Sequence, residues 1–280
     1  MNAVLNWVVA LKPEAEVIIN AFDLKRVETK SVLFPIYESD DQAVRLVLSG
    51  IGKVNAAAAT ASLAMSAEPA PGSCGWINFG IAGCSEVRYG EAIMASRVTD
   101  GATGRSWYPA PVWPKRVDLP RMPAVTVEKP VSDYASLTGL VEMEASGFYS
   151  VALRQSSVEL TQVIKVVSDD PKHSIESLNK VKAAALCAEA WDSIAPWLAA
   201  FREVLATDST RLADPPGFNE WCRHFHFTVT SRHQLRRLLQ EWEMLRGGDS
   251  LALPESQNGK AALKFLREKL KEKRRGEIAG

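Results

Sequence analysis

The chain has 280 residues, 46% hydrophobic and 24% charged, a length and balance that support a sizeable buried core and exclude wholesale disorder. Its 33 basic and 33 acidic residues cancel to a formal net charge of zero, which excludes a chain-wide field for gathering nucleic acid. Four cysteines, Cys74, Cys84, Cys187 and Cys222, are too few for a disulfide framework and fit reduced thiols in the cytoplasm.

Residues 4–10 form a nearly continuous apolar run around Val8-Val9, the pattern of a strand buried on both faces. The run is too short to span a membrane and no basic stretch precedes it, so no membrane partner is expected. Pro13 opens a helix predicted over 14–22. Strands at 32–37 and 43–48 flank the turn-rich Glu38-Ser39-Asp40-Asp41. Gly50-Ile51-Gly52 then breaks the chain before an alanine-rich helix over 53–65. A strand at 75–79 is predicted to end in Gly80-Ile81-Ala82-Gly83, and another covers 92–98. Residues 99–123 read as a Gly- and Pro-rich loop that carries Trp107, Tyr108 and Trp113. Short strands at 124–127 and 140–143, a helix at 145–154 and a strand at 160–167 follow. A long helix is predicted over 175–205, where Val181, Ala184, Ala188, Trp191, Ala195 and Leu198 recur at helical spacing. Strands alternating with helices predict an α/β fold, a three-layer α/β/α sandwich around a central, largely parallel mixed sheet.

After Thr207 the chain turns polar, and Pro215-Pro216-Gly217 reads as a linker. Helices at 234–246 and 260–275 follow. The expected division is therefore a core domain over 1–206 and a helical extension over 207–280. The stripe Leu235, Leu238, Leu239, Trp242 and Leu245 needs an apolar partner, expected on the core domain or on a second copy of the chain.

Four segments offer chemistry. Ser49-Gly50-Ile51-Gly52-Lys53-Val54-Asn55 joins a strand to a helix, where glycines and free amides serve a ligand or simply a tight turn. Asn78-Phe79-Gly80-Ile81-Ala82-Gly83 places small residues at the carboxyl edge of the sheet, where open α/β sheets bind ligands and where turns also need small residues. Val141-Glu142-Met143-Glu144-Ala145 sets two carboxylates at a strand-to-helix junction. Strand alternation would send both the same way with Met143 opposed, to a ribose diol or, the commoner use, to the positive end of a helix. Lys165-Val166-Val167-Ser168-Asp169-Asp170 ends an apolar strand in acids, suited to a general acid or to helix capping.

Taken together and in this order, the four segments resemble the purine nucleoside phosphorylase superfamily, and among its members the methylthioadenosine/adenosylhomocysteine nucleosidases. Ala10-Leu11-Lys12-Pro13-Glu14 is similar to the N-terminal strand-to-helix turn of that family, and the likeness runs from residue 1 to about residue 205. The resemblance implies cleavage of a purine nucleoside by water. Asp169 would act as acid at N7 of the base, and Glu14 would activate the water. Glu144 would bind the ribose hydroxyls, with Met143 against the sugar and Ile51 near the 5′ substituent. Gly80, Ile81, Ala82, Gly83, Lys165 and Ser168 would complete the substrate-binding set, with no metal and no cofactor. The resemblance also implies a homodimer whose second copy helps close the pocket. Ile81 stands where the nucleosidases have serine, Cys84 where they have glycine and Lys165 where they have arginine. Glu128-Lys129-Pro130-Val131 replaces a longer base-recognising segment.

Two further clusters point to bland roles. Cys222, His224 and His226 would share one face of a strand and so offer three metal ligands, but their spacing matches no zinc pattern. The basic end of the last helix reads as a solvated face. A phosphorylase using phosphate is the alternative enzyme, with Lys53 and Lys165 as its candidate cations. A non-catalytic nucleoside-binding protein is the alternative outside enzymes.

Overall fold

A computed structural model of the chain describes residues 3–27, 33–66, 74–111, 117, 119–131, 133–134, 137–212, 214–245, 251–254 and 258–278. The expected positions of residue 32, Trp113 and residue 246 lie outside these. The chain divides into two compact units, Met1–Leu212 and Ala213–Gly280.

The first unit is built on a 10-stranded mixed sheet. Its strands are β1 (Val4–Val9), β2 (Lys25–Arg26), β3 (Ile36–Glu38), β4 (Val44–Leu48), β5 (Cys74–Cys84), β6 (Ala92–Asp100), β7 (Ser106–Trp107), β8 (Arg121–Thr126), β9 (Leu140–Glu142) and β10 (Thr161–Asp169). The helices are α1 (Lys12–Ala21), α2 (Lys53–Met65), α3 (Ala145–Ala152) and α4 (Lys180–Leu212). Alternation along the central strands splits the core in two. Leu5, Trp7 and Val9 of β1 and Ile164 and Val166 of β10 pack with α1 and α4. Val8, Val163 and Val167 face the other way and pack with Ala56, Ala59 and Leu63 of α2 and Phe148 and Tyr149 of α3. Helices on both faces make the three layers.

The sheet is less uniformly parallel than the sequence pattern predicts. Parallel pairings join β1 to β4 and β5, β5 to β10, and β8 to β6 and β9. Antiparallel pairings join β10 to β6, β9 to β5, β7 to β6 and β3 to β2 and β4. Strand order runs β10-β6-β8-β9-β5-β1-β4-β3-β2, and β10 also pairs with β5, so five strands close into a ring. The strand expected to stop at Phe79 continues to Cys84, because Gly80–Gly83 lie beside β10 and Gly83-Cys84 pair with β9. Pairing with β10 along the stretch, and with β9 at Gly83-Cys84, overrides their turn propensity.

Two expectations at the end of this unit shift. Residues 175–177 form a short 3-10 helix, and α4 begins at Lys180 and runs to Leu212, six residues past the expected boundary. Polar residues 207–211 remain helical because helix propensity differs little among them and tertiary packing decides. Ser209 is buried.

The second unit holds α5 (Phe218–His224), α6 (Val229–Leu245) and α7 (Gly259–Ile278) around its own core. Leu235, Leu239 and Trp242 are buried there with Phe218, Trp221, Leu263 and Leu266, and Leu238 and Leu245 pack at the margin. The stripe on α6 thus finds an apolar partner within the extension itself. Cys222 and His224 sit on α5, so the strand spacing that would align them with His226 is not formed. Among the described residues no helix is long and apolar enough to cross a membrane.

Candidate functional site

Glu14, Ile51, Met143, Glu144 and Asp169, drawn from four separate stretches of the sequence, line one cavity of about 210 Å³ at the carboxyl ends of β1, β5 and β10. Ile81, Ala82, Gly83 and Ser168 share its wall. Leu11, Val127, Pro130, Val131, Ile175 and Leu178 add apolar surface.

Each carboxylate is anchored separately. Glu14 lies in the first turn of α1, and its Oε2 accepts the Leu11 N–H at 2.8 Å, as an acid three residues into a helix does. Its Oε1 accepts the Ile81 N–H at 3.1 Å. Glu14 is 3% exposed, and burial pushes its carboxyl up to about 7 against the pull of the Ile81 amide and Lys165. A side chain on Gly80 would lie 3.0 Å from Glu14 Oε1, so Gly80 backs the carboxylate and does not line the cavity.

Glu142 and Glu144 divide the two roles that their segment offers. β9 ends at Glu142, so strand alternation stops there, and Met143 shares the cavity wall with both acids instead of opposing them. Glu142 Oε2 accepts the Glu144 N–H at 2.9 Å and the Ala145 N–H at 2.7 Å, capping α3. Glu144 Oε1 accepts the Gly52 N–H at 2.9 Å. The Gly50-Ile51-Gly52 turn therefore spends an amide on a carboxylate while Ile51 borders the cavity. Gly147 of α3 permits this, since any side chain there would run into the carbonyl of Lys53 at the start of α2.

Lys165 does not reach the cavity wall. It is 1% exposed, and its Nζ lies 3.1 Å from Glu142 and 3.5 Å from Glu144. Burial works against its charge, but Glu142, Glu144 and Glu14 outweigh burial and hold it above the ordinary lysine range. Burial raises Glu144 and Lys165 offsets part of that rise. Lys53 also points elsewhere, pairing with Asp100 at 2.9 Å and Glu128 at 2.6 Å.

Asp169 closes the third side at the end of β10. It is 2% exposed, and Oδ1 accepts the Ser168 hydroxyl at 2.5 Å. Oδ2 accepts the hydroxyl of Tyr134, a cavity residue that sequence reasoning did not single out. Asp170 takes the structural role that Ser-Asp-Asp also offers. It accepts the backbone N–H groups of Arg88, Tyr89, Lys172 and His173 at 2.8–3.0 Å.

No protein-family model matches the chain, and no curated protein matches it. Solved structures do. The 5′-methylthioadenosine/S-adenosylhomocysteine nucleosidase of Neisseria meningitidis is 23% identical with a TM-score of 0.51, over 70% of this chain and 99% of that one. The chain has the fold of the nucleosidases. The 5′-methylthioadenosine nucleosidase of Arabidopsis thaliana matches at 16% identity and TM-score 0.58, over 71% and 96% of the two chains. Futalosine hydrolase of Helicobacter pylori matches at 14% and 0.51, over 68% and 96%.

On this nucleosidase fold the buried Glu14 makes a stability prediction. A folded-state value near 7 against 4.5 in a free carboxyl means that folding favours the protonated form. That contribution is full below 4.5 and is lost as pH rises through about 7, a swing of roughly 3 kcal/mol. Thermal unfolding of Glu14→Gln between about pH 5 and about pH 8 should lack this decline. An equal decline in both proteins would remove Glu14 as its source.

Proposed function

We propose that the chain hydrolyses the N-glycosidic bond of a purine nucleoside of the 5′-methylthioadenosine or S-adenosylhomocysteine kind. The observation that carries the reading is three separately anchored carboxylates, Glu14, Glu144 and Asp169, on one cavity whose described wall holds no lysine or arginine.

As the C1′–N9 bond breaks, its electron pair passes to the base and Asp169 delivers a proton to N7. The sugar becomes oxocarbenium-like and is stabilised by the surrounding negative charge. Water adds to C1′ and gives its proton to Glu14, which is poised by burial to accept one near neutral pH. Glu144 keeps lone pairs beyond those used by Gly52 and Lys165, and these accept the ribose hydroxyls. Leu11 and Ile51 offer apolar surface to an uncharged 5′ substituent. The comparison supports this substrate class, since the Neisseria enzyme was solved with methylthio-immucillin-A.

Phosphorolysis is disfavoured by the same geometry. Lys53 and Lys165 are both committed to carboxylates, and the Ile81 amide is committed to Glu14. An incoming phosphate would meet negative charge without a countering cation. The test is base release from a panel of purine nucleosides with and without phosphate. Free base and free sugar at a rate indifferent to phosphate are expected. Dependence on phosphate would make the protein a phosphorylase, and saturable binding without turnover would make it a nucleoside-binding protein.

A further inference from the structure

We propose that Tyr134 is a positioning residue for Asp169, holding the carboxylate that remains once its proton has passed to the departing base; this rests on the nucleosidase reading above. Tyr134 lies on the segment between β8 and β9 and lines the same cavity as Asp169. Its hydroxyl donates to Asp169 Oδ2 while the Ser168 hydroxyl donates to Oδ1. The two donors pin the carboxylate on both sides.

The fold makes room for this pair. Gly83, beside Asp169 in the register of β5 and β10, has no space for a side chain: a Cβ there would lie 2.7 Å from Asp169 Oδ2 and against the Tyr134 hydroxyl. Ile81 and Ala82, the neighbouring cavity residues of β5, carry no polar side chain. The second oxygen of Asp169 therefore takes its donor from Tyr134 rather than from β5. Burial, and then the carboxylate itself, push the Tyr134 phenol above the ordinary tyrosine range, so it stays a donor throughout the working pH range.

The chemical consequence is specific. When the C1′–N9 electron pair moves to the base, the Asp169 proton moves to N7 and a buried carboxylate is left. Donors already aimed at both oxygens stabilise that anion without reorganisation. Hydrogen bonds to a charged group are the strong ones, so losing one corresponds to about a 10- to 100-fold loss in rate.

The experiment compares Tyr134→Phe with wild type on a purine nucleoside and on 4-nitrophenyl β-D-ribofuranoside, whose leaving group departs as an anion without protonation. The variant should lose about 10- to 100-fold in kcat on the nucleoside with KM little changed, and keep its rate on the aryl riboside. It should also cause no further loss in an Asp169→Asn background, because both changes remove one function. Equal slowing on both substrates would reduce Tyr134 to a structural part, and unchanged rates on both would overturn the proposal outright. Additive losses in the double variant would overturn it too, and they decide the matter if the wild type ignores the aryl riboside. A wild type inactive on every purine nucleoside would sink the nucleosidase reading first, and this inference with it.

Discussion

Asp169→Asn is expected to lower base release by about 10²- to 10⁴-fold while a non-cleavable nucleoside analogue still binds. The substitution keeps the shape of a side chain that is 2% exposed at the end of β10 and keeps an oxygen for Tyr134 or Ser168. It removes the only thing the mechanism asks of the carboxyl, a proton to give to N7. Steady-state release of base and calorimetric affinity for the analogue separate the two effects. Wild-type turnover in the variant would refute the assignment of Asp169 as acid. Loss of binding equal to the loss of rate would assign it to recognition instead.

Lys165→Met is expected to destabilise the protein by about 3–5 kcal/mol, measured by urea unfolding. The methionine fills similar volume, so the loss is not one of packing. It arises because Glu142 and Glu144 lose the ammonium 3.1 and 3.5 Å away while staying out of water. Adding Glu142→Gln should restore part of the stability, since one uncompensated charge goes with it. A loss below about 1 kcal/mol would place the pair in the class of exposed ion pairs, contrary to its burial.

These two residues show what the sequence discloses and what it withholds. Asp169 is legible because an apolar run ending in acids marks a strand that stops at the sheet edge. Lys165 is conspicuous within the same run, yet its partners come from β9 and the start of α3, and no local pattern says that it points to them rather than to a ligand. Helix α2 can be bounded to the residue, since Gly52 precedes an alanine-rich stretch with a single reading. The continuation of β5 through Gly80–Cys84 is not legible. Small residues mean a turn locally, and only the neighbours β9 and β10 convert them to strand. Tyr134 sits in a connection without hydrophobic period, so its place opposite Asp169 arises wholly from tertiary structure.

The ring formed by β5, β9, β8, β6 and β10 has a consequence for how the protein behaves at high concentration. Strands inside a closed circuit have a neighbour on each side over part of their length, which leaves little of their backbone free to recruit a strand from another molecule. Among the described strands, the free borders fall to β2 and β7, of two residues each. The β2 border consists of Lys25 and Arg26, both exposed and both positive. A border that short, with Lys25 already held in an ion pair with Asp40, is a poor template for edge-to-edge growth. A sheet rich in valine and isoleucine, dangerous as an open ribbon, is in this way kept from seeding fibres by its own circular pairing.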